Sequence, residues 1–445
     1  MASPLRRRPL AALAVALALG AATAAPASAA PDPLLSEQWA LSDTGATGAP
    51  AAWTQSLGDG IVVATLDSGV QLDHPDLAQN LWHNPNEVGG NGIDDDRNGY
   101  VDDVYGANIM TSNGSVNDDE GHGTHVAGII AASAGNGVGG SGIAPGAHIM
   151  AVKVLDANRV GNSSLLARGI RYAVDQGARI LNVSLNGDGT SSELEDALRY
   201  AGDRGATIVA SAGNNARDID LRPSYPASST VSAVLTATAS EESGGLLGVA
   251  NRGLESVDLA APGASILSTA RGSGYELRSG TSMAAPFVAG SLALLAAARP
   301  DLPQSALRDA LLQSAPRPTL LAGLLGSGSL DVAAALHRVL PGAMWRAPVV
   351  PSAGTAVRLR LLTKPRVRAG RAATVRWSAR NAAQVARWRV LLDGRRVGTV
   401  AAGKRSLLRT RVSRPGAHRW KVVGLAATGA RVVTATRGFR VLRKR

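Results

Sequence analysis

The sequence predicts an α/β protein, a mostly parallel sheet flanked by helices, followed by a small, sandwich-like all-β module. Three observations predict it. From residue 60 to about 335, short apolar runs alternate with amphipathic stretches, the pattern of strand–helix–strand units with strands buried on both faces. Beyond Pro341 that alternation stops, and β-like runs punctuated by Gly, Pro and Asn take over. Charge divides at the same place. Residues 341–445 carry 26 Lys and Arg against one acid, Asp393, whereas residues 1–340 carry 20 basic and 33 acidic groups. Two units with different surfaces explain a division that the net charge of +12 conceals.

The elements follow in order. Arg6, Arg7 and Arg8 precede an apolar run over 10–22 and the small residues Ala27-Ser28-Ala29-Ala30. This reads as a signal peptide over 1–30, hence a secreted, extracellular or cell-surface protein. The run falls short of the ~20 residues of a spanning helix, and no later segment is read as long and apolar enough to span a bilayer. The chain has no cysteine, which excludes disulfides and a thiol nucleophile. Within a domain expected over 31–340, strands are predicted at 61–66, 149–155, 180–185, 206–212 and 231–238. Helices are predicted at 122–132, 163–176, 192–204, 283–297, 304–313 and 330–340. A linker over 341–355, marked by Pro348 and Pro351, leads to a basic module over 356–445. Its strands are expected at 373–379, 386–392, 395–400, 407–412, 418–423 and 431–441.

Ligands on parallel sheets bind beyond the carboxyl ends of the strands, and three motifs place reactive side chains there. The run 61–66 delivers Asp67. Gly121-His122-Gly123 puts an imidazole at a helix start, and Gly280-Thr281-Ser282 puts a hydroxyl at the start of an apolar helix. A serine hydroxyl needs a base to take its proton as it attacks. Neutral imidazole does this near pH 7, and a carboxylate fixes its tautomer and stabilises the imidazolium. The developing oxyanion needs donors. The helix start at Ser282 offers a backbone N–H, and Asn214 in Ser211-Ala212-Gly213-Asn214 offers a side-chain amide.

Taken together, Thr65-Leu66-Asp67-Ser68-Gly69-Val70, Gly121-His122-Gly123-Thr124-His125-Val126-Ala127-Gly128, Ser211-Ala212-Gly213-Asn214 and Ser279-Gly280-Thr281-Ser282-Met283-Ala284-Ala285-Pro286 closely resemble the subtilisin-like serine proteases, over roughly residues 38–340. The resemblance implies the subtilisin-like fold and serine endopeptidase activity. Asp67, His122 and Ser282 would form the catalytic triad and Asn214 the oxyanion donor. It further implies that Asn182-Val183-Ser184-Leu185 is an edge strand for pairing with substrate backbone. Ser184, Leu185, Asn186 and Gly187 would form one wall of the specificity pocket, and Ala212 and Gly213 the facing wall. Relatives usually read Ser-Leu-Gly-Gly at the first wall, so Asn186 is a departure. Many relatives carry a folding prosegment; here the domain's arm, Gln38-Trp39-Ala40-Leu41, begins soon after the signal. An alternative is a catalytically dead relative serving as a binding protein.

The loop 91–103 carries Asp94, Asp96 and Asn98 in alternation, then Gly99, Tyr100 and Asp102. It matches the first part of an EF-hand loop, with Tyr105 where the final Glu would stand. A structural Ca2+ held by Asp94, Asp96, Asn98, Tyr100 and Asp102 is expected, with a second, weaker candidate near Asn136 and no cofactor for the chemistry. His125 is expected to be structural, since no Glu completes a His-Glu-x-x-His zinc motif. Substrates are expected to be proteins or peptides. The basic module would attract anionic cell-surface polymers or act as a solubilising domain. Nucleic acid is not expected, given export and the lack of an aromatic stacking platform.

Overall fold

Aliphatic runs of four to seven residues, too short for helices, form the central sheet. The computed structural model describes residues 32–42, 47–340 and 342, and, between 358 and 442, the strands with a few adjoining residues. The expected signal segment 1–30 and all but Gly342 of the expected linker 341–355 lie outside the described residues. Six strands, β1 (Val62–Asp67), β2 (His148–Lys153), β3 (Ile180–Val183), β4 (Thr207–Ser211), β5 (Val234–Ser240) and β6 (Leu259–Pro262), lie in the order β2-β1-β3-β4-β5-β6. Every neighbouring pair is parallel.

Among the described residues, seven α-helices complete the domain: α1 (Ala49–Ala52), α2 (His122–Ala131), α3 (Ser163–Asp175), α4 (Ser192–Asp203), α5 (Thr281–Ala298), α6 (Gln304–Ser314) and α7 (Val332–Val339). Successive strand residues point to opposite faces. Val63, Val209 and Leu235 pack with Val126 and Ile130 of α2 and Val288 and Leu292 of α5. Leu66, Leu181 and Ile208 pack with Leu166 and Ile170 of α3 and Leu194 and Leu198 of α4. The amphipathic helices begin at side-chain caps: Asn162 Oδ1 accepts from Leu165 N–H, Ser191 Oγ from Leu194 N–H and Asp331 Oδ1 from Ala334 N–H.

Two expectations are corrected, and three strands of this domain went unforeseen. Helix α5, 18 residues long, is apolar and long enough to cross a membrane, contrary to the reading that no later segment is. It is apolar all round because 89% of it is buried inside the domain. Asn182 and Val183 are not on an edge strand: β3 lies between β1 and β4 and pairs with both. Only the segment beyond Val183 runs free of the sheet. Strand β6 and an antiparallel hairpin, β7 (Ile266–Ala270) and β8 (Gly274–Arg278), went unforeseen. Strand β6 is four residues ending in Pro262, and β8 mixes polar and apolar residues at a half-exposed site.

The C-terminal unit is all-β, as expected. Strands β9 (Arg358–Thr363), β11 (Ala372–Arg380) and β14 (Leu407–Arg411) form one sheet. Strands β10 (Arg366–Arg368), β12 (Arg387–Leu392), β13 (Arg395–Ala401), β15 (Gly416–Leu425) and β16 (Arg431–Leu442) form the other. Val375 and Trp377 from the first meet Trp388, Val390, Trp420 and Phe439 from the second in one core, with the Trp377 and Trp388 rings 6.1 Å apart. Strand β9 was not assigned from sequence, although its Arg–Leu alternation carries the period-2 signal.

Candidate active site

Strand β1 ends at Asp67, a fully buried carboxylate. His122 Nδ1 lies 2.8 Å from Asp67 Oδ1 and 2.9 Å from Oδ2. A carboxylate only accepts, so the proton sits on Nδ1 and Nε2 carries the lone pair. Nε2 is buried and has no partner among the described residues. His122 comes so close to β1 because Gly123 has no side chain: a Cβ there would stand 2.1 Å from Gly69 O.

Helix α2 starts at Gly121, which has no capping side chain. Asp118 supplies the cap. Its Oδ1 accepts from Gly121 N–H at 2.8 Å and from Ser68 Oγ–H at 2.9 Å, and its Oδ2 from Thr124 N–H at 2.9 Å and Oγ1–H at 2.6 Å. Burial alone would raise the Asp118 pKa. The bonds from Thr124, Gly121 and Glu120 outweigh it and hold the carboxyl below the usual range. Ser68 Oγ also accepts from Gly123 N–H at 3.0 Å. Beneath this turn the buried Lys153 ammonium donates to Ser68 O at 2.6 Å, Asp119 Oδ1 at 2.7 Å and Leu155 O at 2.9 Å.

Ser282 stands in the first turn of α5. Pro286 has no N–H, so the Ser282 carbonyl lacks its intrahelical partner. Ser184 Oγ–H donates to it instead at 2.9 Å, and Ser282 Oγ–H donates back to Ser184 O at 3.0 Å. The Ser282 hydroxyl is therefore bonded to Ser184 and not to His122. Thr281 N–H donates to Asn214 Oδ1 at 2.9 Å, and Gly213 N–H to Thr281 Oγ1 at 3.0 Å. The Asn214 amide is thus fixed by its oxygen, and its Nδ2 has no partner among the described residues. A cleft of about 250 Å³ is lined in part by Ser184, Leu185, Asn186, Gly187, Asn214 and Ser282. Ala212 and Gly213, expected as the facing wall, are buried, and Gly213 lies against the amide of Asn186, which lines the cleft.

His125 is fully buried. Its Nε2–H donates to Glu276 O at 3.2 Å, and Nδ1 has no partner among the described residues. Burial pushes its pKa down to about 4.

Of the residues expected to hold calcium, Asp94 and Asp96 come together, their Oδ1 atoms both accepting from Asn98 N–H, at 3.0 and 3.1 Å. Asp94 accepts from Asn98 N–H and Gly99 N–H. Asp102 Oδ1 accepts from Gly90 N–H and Asn91 N–H. Asn98 Nδ2–H donates to Asp96 and Asp103, and the Tyr100 ring packs edge-on against Tyr172. Asp96 also joins a second convergent group of carboxylates. Its partners are Glu87 and Asp103, the ligand oxygens lying within 4.8 Å of one another. Both Glu87 oxygens are buried without a partner among the described residues. Burial, with added repulsion from neighbouring carboxylates, raises the pKa of Glu87 and of Asp103. Near Asn136, whose Nδ2–H donates to Asp76 Oδ1 at 2.7 Å, Asp32 Oδ1 accepts the Asn136 N–H at 3.0 Å.

The model of the subtilase family matches residues 58–338, more than half of the chain. The chain belongs to the subtilase family of serine-type endopeptidases. Thermitase of Thermoactinomyces vulgaris is 40% identical over 248 residues, covering 56% of this subtilase and 79% of thermitase. Subtilisin-like protease 1 of Plasmodium berghei is 32% identical over 258 residues, covering 54% of this chain. The match spans only 43% of that relative's length. Among solved structures, a protease of Pseudoalteromonas arctica PAMC 21717 matches with a TM-score of 0.59 and 28% identity, over 70% of this chain and all of that one.

Sequence reasoning missed Asp118, Lys153, Glu87 and Asp103 in this subtilase. A lone lysine closing the apolar strand 148–153 was a signal, because a buried ammonium must find several acceptors. Asp118, one acid in Asn117-Asp118-Asp119-Glu120, offered none.

Proposed function

We propose that this subtilase is a secreted endopeptidase in which Ser282 is the nucleophile, His122 the general base and acid, Asp67 its orienting carboxylate, and Asn214 the side-chain oxyanion donor. The Ser282 hydroxyl leaves Ser184 O and turns to His122 Nε2. Its oxygen attacks the scissile carbonyl carbon as the proton passes to Nε2, and Asp67 stabilises the imidazolium. The oxyanion meets Asn214 Nδ2–H and the free Ser282 N–H at the positive end of α5. The C–N bond then breaks and Nε2 returns the proton to the departing amine. Water, deprotonated by the same imidazole, hydrolyses the acyl-enzyme and restores the hydroxyl. One observation carries this reading: Asp67 grips Nδ1 with both oxygens and leaves a buried Nε2 unpartnered, with Ser282 heading a helix tied to Asn214.

The deciding experiment is labelling by a fluorophosphonate. Labelled wild type and unlabelled Ser282→Ala are expected. A folded wild type that takes no label, and cleaves no peptide, overturns the assignment and favours a binding protein.

The proposed organisation is a signal peptide over 1–30, a peptidase domain over 31–340, a linker over 341–355 and a basic module over 356–445. The module is read as binding anionic cell-surface polymers through its arginines. Full-length protein held on cells at low salt should then elute at high salt, and retention unaffected by salt would contradict this. A structural Ca2+ fits the buried, partnerless Glu87 carboxylate beside Asp96 and Asp103, an all-oxygen set suited to a hard cation. Bound there, it would neutralise their repulsion and fix the loop 87–103, away from the chemistry.

A further inference from the structure

Two segments run past the carboxyl end of the sheet, 184–187 after β3 and 212–214 after β4. Ser282 is tied to both: its hydroxyl donates to Ser184 O, and the adjacent Thr281 N–H donates to Asn214 Oδ1. In the pocket that the family resemblance implies, a peptide carbonyl brought to Ser282 sends the side chain of its own residue into the gap between them. Asn186 begins in the first segment, but its amide crosses that gap. Nδ2–H donates to Ser224 Oγ at 2.8 Å. The same Nδ2 lies so near Gly213 that a Cβ on Gly213 would stand 2.4 Å from it.

The far anchor is firm. Ser224 is fully buried, and its N–H donates to Ser228 Oγ at 3.0 Å. The next residue, Tyr225, exchanges two backbone hydrogen bonds with Gly187, Gly187 N–H to Tyr225 O at 2.9 Å and Tyr225 N–H to Gly187 O at 2.8 Å. The amide that reaches Gly213 is thus held at its tip by Ser224, in a third segment that is itself paired with Gly187. With Nδ2 committed to Ser224, Asn186 Oδ1 has no partner among the described residues.

From this placement we infer that Asn186 forms the floor of the specificity slot and selects short side chains at the residue whose carbonyl is attacked. The inference deepens the endopeptidase reading and rests on it. A glycine, alanine or serine side chain stops above the amide, and a serine hydroxyl can donate to Oδ1. A phenylalanine ring needs the volume the amide occupies, so it enters only by breaking the bond to Ser224 and leaving that buried hydroxyl without its donor.

The test compares peptides that differ only at the attacked residue, Ala against Phe, on wild type, Asn186→Gly and Ser224→Ala. Fluorophosphonate titration fixes the active concentration of each. Wild type should favour Ala over Phe in kcat/KM by about tenfold or more, within the range one pocket contact can discriminate. Asn186→Gly should raise the Phe/Ala ratio about tenfold, and Ser224→Ala, which frees the amide, should move it in the same direction by less. A labelled wild type that favours Phe, or a ratio unchanged in Asn186→Gly, overturns this inference alone. A wild type that takes no label overturns the endopeptidase reading and this inference with it.

Discussion

Acid should loosen this enzyme through His125. Its ring is fully buried one helical turn from His122, packed beneath Glu276 of β8, with Arg278 and His122 as neighbouring positive or ionisable groups. Burial is the largest cause of its low pKa, followed in the same direction by Arg278 and His122. The bond to Glu276 O and the Glu276 charge act the other way. The folded pKa of about 4 lies below the ordinary 6.5. Between those values the unfolded chain therefore binds the extra proton. The stability contribution is whole above pH 6.5, falls as pH drops, and is lost by about pH 4. The difference corresponds to roughly 3 kcal/mol. Urea midpoints measured from pH 7.5 to pH 4 on wild type and His125→Gln provide the assay. Glutamine keeps an N–H donor for Glu276 O but does not titrate. The variant's pH dependence should be shallower by that amount, whatever its absolute stability. Parallel curves for the two proteins would refute the argument.

Three further outcomes are expected. Asn214→Ala should lower kcat by about 10²–10³, the loss measured for the equivalent donor in subtilisin itself, and a smaller effect in single-turnover assays would remove Asn214 from the oxyanion site. Chelation should lower the melting temperature of wild type, since a cation at a hundred times its Kd contributes about 2.7 kcal/mol. Glu87→Gln should abolish that shift, and equal shifts in both would move the ion elsewhere. Lys153→Met should destabilise by about 3 kcal/mol, because Ser68 O and Leu155 O lose a charged donor in a buried site; a midpoint unchanged in urea would contradict this.

The sheet and its reactive ends were legible because their signals are local. A four-to-seven-residue aliphatic run is visible as it stands, and Asp67, His122, Asn214 and Ser282 each follow or begin such an element. The supports were illegible because they act across the fold. Asp118 is one of three consecutive acids until folding brings Ser68 and the start of α2 to it. The acidic loop was read as alternating ligands along one stretch; Asp94 and Asp96 do meet at Asn98 N–H, but Asp102 closes a turn on backbone amides, and Glu87 and Asp103 join Asp96 from positions outside that alternation. Asn186 was visible as a departure, but its reach to Ser224, 38 positions away, was not.

Both helices that present reactive side chains begin with a backbone deficit that a neighbouring element fills. Helix α2 starts at a glycine, so its cap must come from outside, and Asp118 provides it while also binding Ser68 beside Asp67. Helix α5 has Pro286 in its second turn, so the Ser282 carbonyl must find another donor, and Ser184 Oγ provides it. An ordinary cap or an alanine at 286 would satisfy each helix within itself and remove the reason for either cross-link. The deficits thereby become joints: one fixes His122 against Asp67, the other fixes Ser282 against the wall of the cleft. The hydroxyl itself stays free to rotate, because its bond to Ser184 O is made by the side chain while the carbonyl bond alone holds the backbone. Positioning and mobility are thus carried by different atoms of the same residue, as the proposed proton transfer from Ser282 to His122 requires.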